Sequence, residues 1–285
     1  MNNDVLLAFA TYQRSRRLAP TTIRNRAWLL HGFTERTEIP LLRATLQDLR
    51  EHLGRDGVEA GTARTERGAF QAFYRFCVED GYLTDDPSAK LRPVRIPRAE
   101  PRPFAAWQIE AMLSTGARFK TQAMILLGYY QGFRVSQIAR VRGDDIDREA
   151  MTIRTVAKGG KIRYLPLRAE IAELSLLMPR VGWWFPARDG SDAPIKGASV
   201  TDLITAAKHR AGITDPHLTP HSLRHSFGSE LADAGVDIRV VQELMLHEQL
   251  SSTQIYTRVS RQRKAAGIAQ LPPVTAPAPP ARWAA

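Results

Sequence analysis

The feature that most constrains this chain is a proline-rich segment about a third of the way along it. Residues 86–103 contain five prolines and five basic residues. Proline removes a backbone N–H and clashes with the preceding helical turn, so this density excludes helix and favours an extended linker. With 285 residues, the chain has room for two ordinary domains, and we expect residues 86–103 to separate them.

The residues before this linker predict a small helical domain over residues 1–85. Apolar side chains recur there at three- and four-residue spacing, interrupted by proline and glycine. The single cysteine, Cys77, excludes an intramolecular disulfide and a multi-cysteine zinc site, and we expect it to be a small buried apolar residue. The four predicted helices are Asp4–Arg17, Pro20 to about Arg36, Thr45–Arg55 and Ala60–Asp80.

The residues after the linker, 104–270, predict a second, mostly helical domain with one small β element. Residues 151–156 and 162–167 alternate in polarity and contain several β-branched residues, and the turn sequence 157–161 lies between them. This pattern predicts a β-hairpin with a basic tip. The fold class is therefore mainly α with a small hairpin or sheet (α+β). Residues 271–285 are rich in proline and alanine, and we expect a disordered tail.

The charge of the chain favours a polyanionic partner without proving one. It has 40 Lys and Arg against 29 Asp and Glu, which gives a net charge of +11. Clustered guanidinium groups displace counterions from nucleic-acid phosphates, but an arginine-rich composition is also typical of a GC-rich genome. No apolar stretch approaches the 18–20 residues of a membrane span, and the N-terminus lacks a basic signal-peptide region. We expect a cytoplasmic protein without a membrane partner.

One short motif predicts a phosphate-binding helix start. Thr219 is a favourable N-cap and Pro220 suits the first helical position. His221 and Arg224 then lie on one helix face close to the N-terminus, where the helix dipole favours an anion. Arg224 would repel a metal cation, so we expect no metal site there.

Four short segments occur in an order that resembles the catalytic domain of the tyrosine recombinase (phage integrase) family. They contain, in turn, Arg134, Lys158, the pair His221 and Arg224, and the pair His247 and Tyr256. The resemblance covers roughly residues 5–265, and the four N-terminal helices are similar to that family's core-binding domain. His221 and Arg224 follow the hairpin lysine, and a histidine stands nine residues before a tyrosine. The residues that carry the resemblance are Arg134, Lys158, His221, Arg224, His247 and Tyr256.

The resemblance implies that Tyr256 is a nucleophile that attacks a DNA phosphodiester and forms a 3′-phosphotyrosyl link. Arg134 and Arg224 would then bind the non-bridging oxygens of the phosphate. Planar guanidinium groups suit the charge that develops on those oxygens during attack. The arginines supply the positive charge and the phosphotyrosine retains the bond energy, so neither a metal, nor ATP, nor another cofactor is expected.

The resemblance also implies roles in proton transfer. Lys158 is similar to the acid that protonates the departing 5′ oxygen; Lys161 is an alternative on the same hairpin, and the spacing favours Lys158. His221 is similar to the group that accepts the tyrosine proton or positions the tyrosine, and His247 to a further donor to the phosphate. One position departs from the family pattern, because Gln137 stands where a carboxylate is common. An amide can orient a neighbour by hydrogen bonding but supplies no charge.

The linker is expected to contact DNA, because the resemblance implies two domains that form a C-shaped clamp around the duplex. Phosphate contacts of this kind position a protein on DNA without reading its sequence. The predicted DNA contacts are Arg92, Arg95, Arg98 and Arg102 in the linker and Lys161 on the hairpin.

The function implied is site-specific DNA recombination. The resemblance implies a homotetramer that acts on two double-stranded core or attachment sites through a Holliday junction, in integration or excision of a phage or mobile element, and an accessory directionality factor as a further partner. A first helix at about Asp4 leaves no room for an arm-binding domain ahead of it. A Xer-like chromosome or plasmid resolvase, a type IB topoisomerase-like activity and a catalytically idle DNA-binding protein are the alternatives.

Overall fold

The computed structural model describes residues 2–96, 101–157 and 160–246. They belong to two compact units, residues 1–99 and residues 100–285. The fold class is confirmed, because the described residues form helices and one small antiparallel sheet.

Four helices form the described part of the first unit, and each begins and ends within two residues of its predicted bounds. Proline at the first position of the second helix explains why it begins there, since proline lacks the N–H that a first turn leaves unpaired. The helices are α1 (Asn2–Ser15), α2 (Pro20–Thr37), α3 (Leu46–Leu53) and α4 (Ala60–Glu79).

Aromatic side chains fill the core of the first unit. Phe9 of α1 meets Phe73 of α4 edge-on with ring centroids 5.4 Å apart, and Phe33 of α2 meets Phe70 in the same way at 5.3 Å. Edge-to-face pairs of this kind stabilise a core beyond the area they bury. Cys77 is fully buried beside them, as predicted, and burial raises the pKa of its thiol to about 12.

The third helix is two residues shorter at its C-terminus than predicted, because Gly54 is its C-cap. Its start is fixed by a reciprocal cap between Thr45 and Asp48. The Asp48 carboxylate accepts from the Thr45 N–H at 2.7 Å, and the Thr45 hydroxyl accepts from the Asp48 N–H at 3.3 Å. The backbone hydrogen bond from Thr45, followed by the hydroxyl hydrogen bond, lowers the pKa of Asp48.

The first part of the proline-rich segment packs against the first unit. Leu91 is 5% exposed and belongs to the aromatic core, and its carbonyl accepts a 2.8 Å hydrogen bond from Arg67 of α4. Ser88 is fully buried and bonds to the Asp86 carboxylate. The described residues of the segment contain no helix, as its proline content predicts. Leu91 and the residues before it belong to the first compact unit.

The described part of the second unit is built around a buried central helix, α6 (Phe119–Tyr130). It packs against α9 (Gly197–Arg210) and α10 (Pro220–Asp233), and a Cβ on Gly128 would meet Leu223 of α10 at 3.0 Å. None of the described helices is long and apolar enough to cross a membrane. The helices are α5 (Ala106–Ser114), α6 (Phe119–Tyr130), α7 (Val135–Ile138), α8 (Ala169–Leu174), α9 (Gly197–Arg210), α10 (Pro220–Asp233) and α11 (Ile238–Leu244).

The predicted hairpin is present and forms two strands of a three-stranded antiparallel sheet. The strands are β1 (Ile146–Asp147), β2 (Thr152–Val156) and β3 (Ile162–Pro166), with β2 in the centre. Ile153 pairs with Leu165, and both side chains are buried against the helices. The two-residue strand β1 was not predicted, since it is too short to show an alternating pattern.

Candidate active site

The turn that carries Arg134 is shaped by a glycine. Gly132 follows α6 with a φ of +60°, in the left-handed region that favours glycine. A Cβ at this position would lie 2.5 Å from the Phe227 ring of α10, so any other residue would also clash. Phe133 is buried beyond the turn, and Arg134 follows it half-buried. The turn therefore brings Arg134 to the side of α6 on which α10 lies.

Arg134 is the N-cap residue of α7 and is joined by Gln137 to the sheet. The Gln137 amide oxygen accepts a hydrogen bond from the Arg134 backbone N–H at 3.1 Å. The Gln137 amide nitrogen donates to the Thr155 hydroxyl of β2 at 3.2 Å. Gln137 and Thr155 are each more than nine-tenths buried. The amide thus orients its neighbours by hydrogen bonding, as its donor and acceptor allow.

Arg224 lies in the first turns of α10 and links three segments of the second unit. Helix α10 begins at Pro220, as predicted, although Ser222 rather than Thr219 supplies the capping side chain. The Arg224 side chain is 2% exposed. Its guanidinium donates to the Gly132 carbonyl, in the turn before Arg134, and to the Met245 carbonyl just after α11. A guanidinium with five donors can satisfy such buried carbonyls and retain further donors.

His221 lies one helical turn before Arg224 and is held in the neutral form. His221 is an exposed residue, but the protein atoms around its ring desolvate it and lower its pKa to about 4, and the charges of His225, Arg224 and Arg134 act in the same direction. The hydrogen bond from Arg224 to the Gly132 carbonyl, two residues before Arg134, joins the start of α10 to the turn that carries Arg134. At neutral pH the unprotonated His221 ring can therefore accept a hydrogen bond.

A second histidine, His225, was missed as a site residue. Its ring packs edge-on against His221 with centroids 4.7 Å apart. Burial, and then the charge of Arg224, lower the pKa of His225. Its spacing of four from His221 on a helix was the available signal, because such residues share a face. Thr155 and Gly132 were missed as well, and no local pattern marks their contacts with distant parts of the chain.

The remaining predicted residues divide into two groups. Lys161 ends the hairpin turn, where its carbonyl accepts from the Ala157 N–H at 2.8 Å, and the residue is exposed. Three of the four linker arginines, Arg92, Arg95 and Arg102, are also exposed. The predicted residues that lie outside the described residues are Arg98, Lys158, His247 and Tyr256.

The described residues contain no group of three or more His, Cys, Asp or Glu side chains that could hold a metal ion. The described site is instead cationic, with two arginines around the start of α10. The helix dipole adds partial positive charge at the same end. Such an arrangement suits a phosphate, because guanidinium groups and helix N-termini both bind phosphate oxygens.

Comparison with known proteins identifies relatives over most of the chain. Residues 104–263 match the phage integrase family. Tyrosine recombinase XerD of Caulobacter vibrioides is 31% identical over 234 residues, which cover 76% of each chain. Tyrosine recombinase XerA of Thermococcus onnurineus is 30% identical over 273 residues, covering 90% of this chain and 92% of its own.

Solved structures of integrases are also similar to this chain. The integrase from mycobacterium phage Brujita is 33% identical, with a TM-score of 0.50, and the match covers 92% of this chain and 90% of that one. A lambda integrase fragment, residues 75–356, in a dimer bound to a COC′ core site has a TM-score of 0.71 at 16% identity, covering 88% and 96%. This second match is evidence for the fold alone.

Proposed function

The chain is a tyrosine recombinase of the phage integrase family. We propose that it cleaves and rejoins double-stranded DNA at specific sites, with Tyr256 as the nucleophile. The observation that carries the proposal is the arrangement at the start of α10. This region contains two arginines, the buried Arg224 and the half-buried Arg134, beside the unprotonated His221.

The proposed reaction is an exchange of one phosphodiester for another. The Tyr256 oxygen attacks the phosphorus, the bond from phosphorus to the 5′ oxygen breaks, and a 3′-phosphotyrosyl bond forms. Arg134 and Arg224 bind the non-bridging oxygens, whose negative charge grows during attack. An exposed tyrosine has a pKa near 10, so it is a weak nucleophile until a base accepts its proton.

A pKa of about 4 keeps the His221 imidazole unprotonated at neutral pH, so it can accept a hydrogen bond from the Tyr256 hydroxyl and position it. The negative charge of a bound phosphate raises the pKa of His221 towards the range in which it accepts the tyrosine proton. Lys158, which lies between β2 and β3 in the sequence, supplies the proton to the departing 5′ oxygen, and His247 donates a hydrogen bond to the phosphate. The second exchange reverses these steps with the 5′ hydroxyl of a partner strand. The number of phosphodiester bonds is unchanged overall, so the reaction needs no external energy source.

The proposed partner is DNA carrying a core or attachment site. Lambda integrase was solved bound to a COC′ core site, and the Tn1549 transposon integrase in complex with transposon right end DNA. By analogy, we propose that the two domains clamp the duplex, that the exposed linker arginines and Lys161 follow its backbone, and that four subunits join two duplexes through a Holliday junction. An accessory directionality factor and a location in the bacterial cytoplasm belong to the same proposal.

Two biological roles fit this chemistry. Integration or excision of a phage or mobile element is the first, and it is favoured by the 33% identity to the integrase of phage Brujita. Resolution of chromosome or plasmid multimers is the second, and it is favoured by the XerD and XerA relatives. Recombination between directly repeated sites on one plasmid, compared with recombination between a phage-type and a chromosomal attachment site, separates the two.

The test is covalent trapping on a nicked DNA, from which the short cleaved strand diffuses away and prevents religation. We expect the wild-type protein, but not Tyr256→Phe, to form an adduct that resists denaturation, in EDTA and without ATP. A type IB topoisomerase would trap on DNA of any sequence and relax supercoiled plasmids without pairing sites. An idle DNA-binding protein would bind the DNA and form no adduct.

A further inference from the structure

A buried amide joins the turn that carries Arg134 to the small sheet. Gln137 is 8% exposed and Thr155 is 7% exposed. One end of the Gln137 amide accepts from the Arg134 N–H at 3.1 Å, and the other end donates to the Thr155 hydroxyl at 3.2 Å. Both ends of the amide are therefore used, one on each of two structural elements.

This link matters because α7 cannot fix its own direction. The helix has four residues, which is about one turn, and a single turn is unstable without tertiary contacts. Arg134 is the N-cap of α7, so the position of its Cα follows the orientation of that turn. Thr155 lies on β2, the central strand of the sheet, where it pairs with Arg163 of β3. The sheet therefore provides a fixed anchor for the turn.

We propose that Gln137 and Thr155 are a positioning pair that holds Arg134 where its guanidinium reaches the scissile phosphate. The proposal rests on the proposed role of Arg134 in binding that phosphate. Neither member of the pair contacts the phosphate in this account. They act through Arg134, and a displacement of about 1 Å in a catalytic group lowers a rate by about 100-fold.

The chemistry of the pair provides matched variants. Thr155→Val removes the hydroxyl at nearly constant size, whereas Thr155→Ser keeps it. Gln137→Met removes both hydrogen bonds. Gln137→Glu keeps both, because a carboxylate accepts from the Arg134 N–H and from a rotated Thr155 hydroxyl.

The first measurement is the single-turnover rate of adduct formation on the nicked DNA. We expect Thr155→Val and Gln137→Met to lower the rate on the order of 10–100-fold. Thr155→Ser and Gln137→Glu should stay within about threefold of wild type, since they keep the hydrogen bonds that position Arg134. DNA affinity and melting temperature, measured in parallel, identify variants that fail to fold, and Gln137→Met carries the test if Thr155→Val is one of them.

The second measurement distinguishes positioning of Arg134 from a general structural effect. A DNA in which methyl replaces one non-bridging oxygen of the scissile phosphate is neutral there, so a guanidinium contributes little to its cleavage. On this DNA, in one of its two stereoisomers, we expect Arg134→Ala, Thr155→Val and Gln137→Met to cleave at nearly the wild-type rate. A DNA with sulfur at the bridging 5′ position, which leaves without a proton, should leave the Thr155→Val defect unchanged.

Each result has a separate meaning. If Arg134→Ala is relieved by the neutral DNA but Thr155→Val and Gln137→Met are not, the positioning role is wrong and the proposed function stands. If sulfur relieves Thr155→Val and the methyl group does not, the pair acts on leaving-group protonation and the proposal is overturned. If Arg134→Ala itself is relieved by neither stereoisomer, the proposed phosphate role of Arg134 fails.

Discussion

Replacing Gly132 by alanine should lower the free energy of unfolding of the second unit and the rate of adduct formation. Gly132 has a φ of +60°, and an L-residue in this left-handed region costs about 1–2 kcal/mol. A Cβ would also lie 2.5 Å from the Phe227 ring, and forcing extra volume into a packed contact costs about 1–3 kcal/mol. The two effects together predict a loss of about 2–5 kcal/mol in the free energy of unfolding.

The assay is chemical denaturation of Gly132→Ala beside a matched control, Gly212→Ala. Gly212 has a φ of +72°, but a Cβ there would meet nothing within 4 Å, so it should lose only the conformational term of about 1–2 kcal/mol. Phe227→Leu combined with Gly132→Ala completes a double-mutant cycle, and the smaller side chain should recover part of the loss. Because the Gly132 carbonyl accepts from Arg224, adduct formation should fall more than DNA affinity.

Equal losses in Gly132→Ala and Gly212→Ala would refute the packing part of this reasoning. Additive effects of Gly132→Ala and Phe227→Leu would refute it as well, since residues in contact are expected to couple.

Three further predictions follow from single residues. Arg224→Lys should lower the rate of adduct formation by about 10²–10³, because an ammonium group cannot hold two phosphate oxygens in a plane. Its melting temperature should also fall, because the Gly132 and Met245 carbonyls lose a shared donor. A wild-type rate would contradict this prediction. NMR should show the His221 ring titrating near pH 4 in the free protein and at a higher pH beside a DNA phosphate. As the pH falls, the unfolded state takes up the His221 proton before the folded state does, so this group should lower the free energy of unfolding between about pH 6.5 and pH 4. Gly68→Ala, within α4 and with open space around its Cβ, should raise stability by about 0.4–1 kcal/mol, and a loss on thermal melting would contradict this.

Local signals in the sequence were sufficient to predict the four helices of the first unit, the start of α10 and the two strands of the hairpin. Proline at positions 20 and 220 marks the starts of α2 and α10, and alternation marks β2 and β3. Each of these signals acts through the backbone of a few neighbouring residues, so it can be interpreted without knowing the rest of the fold.

The contacts that assemble the site could not be predicted in this way. Arg224 bonds to a carbonyl 92 residues earlier in the chain, and Gln137 bonds to a hydroxyl 18 residues later. Such pairs depend on how α10, α7 and β2 pack, and no periodicity within one element encodes them. The order and spacing of the predicted catalytic residues point to the candidate site, and the structure explains how its described members are held.

The proposed reaction requires Tyr256 to form a covalent bond to a 3′ phosphate of DNA. The most direct measurement is protease and nuclease digestion of the trapped adduct, followed by mass spectrometry of the modified peptide and analysis of the released DNA end. We expect one modified peptide, containing Tyr256 with a nucleotide attached through a 3′ phosphate, and a free 5′ hydroxyl on the other DNA fragment. Modification of any other residue, or a phosphate on the 5′ end, would contradict it.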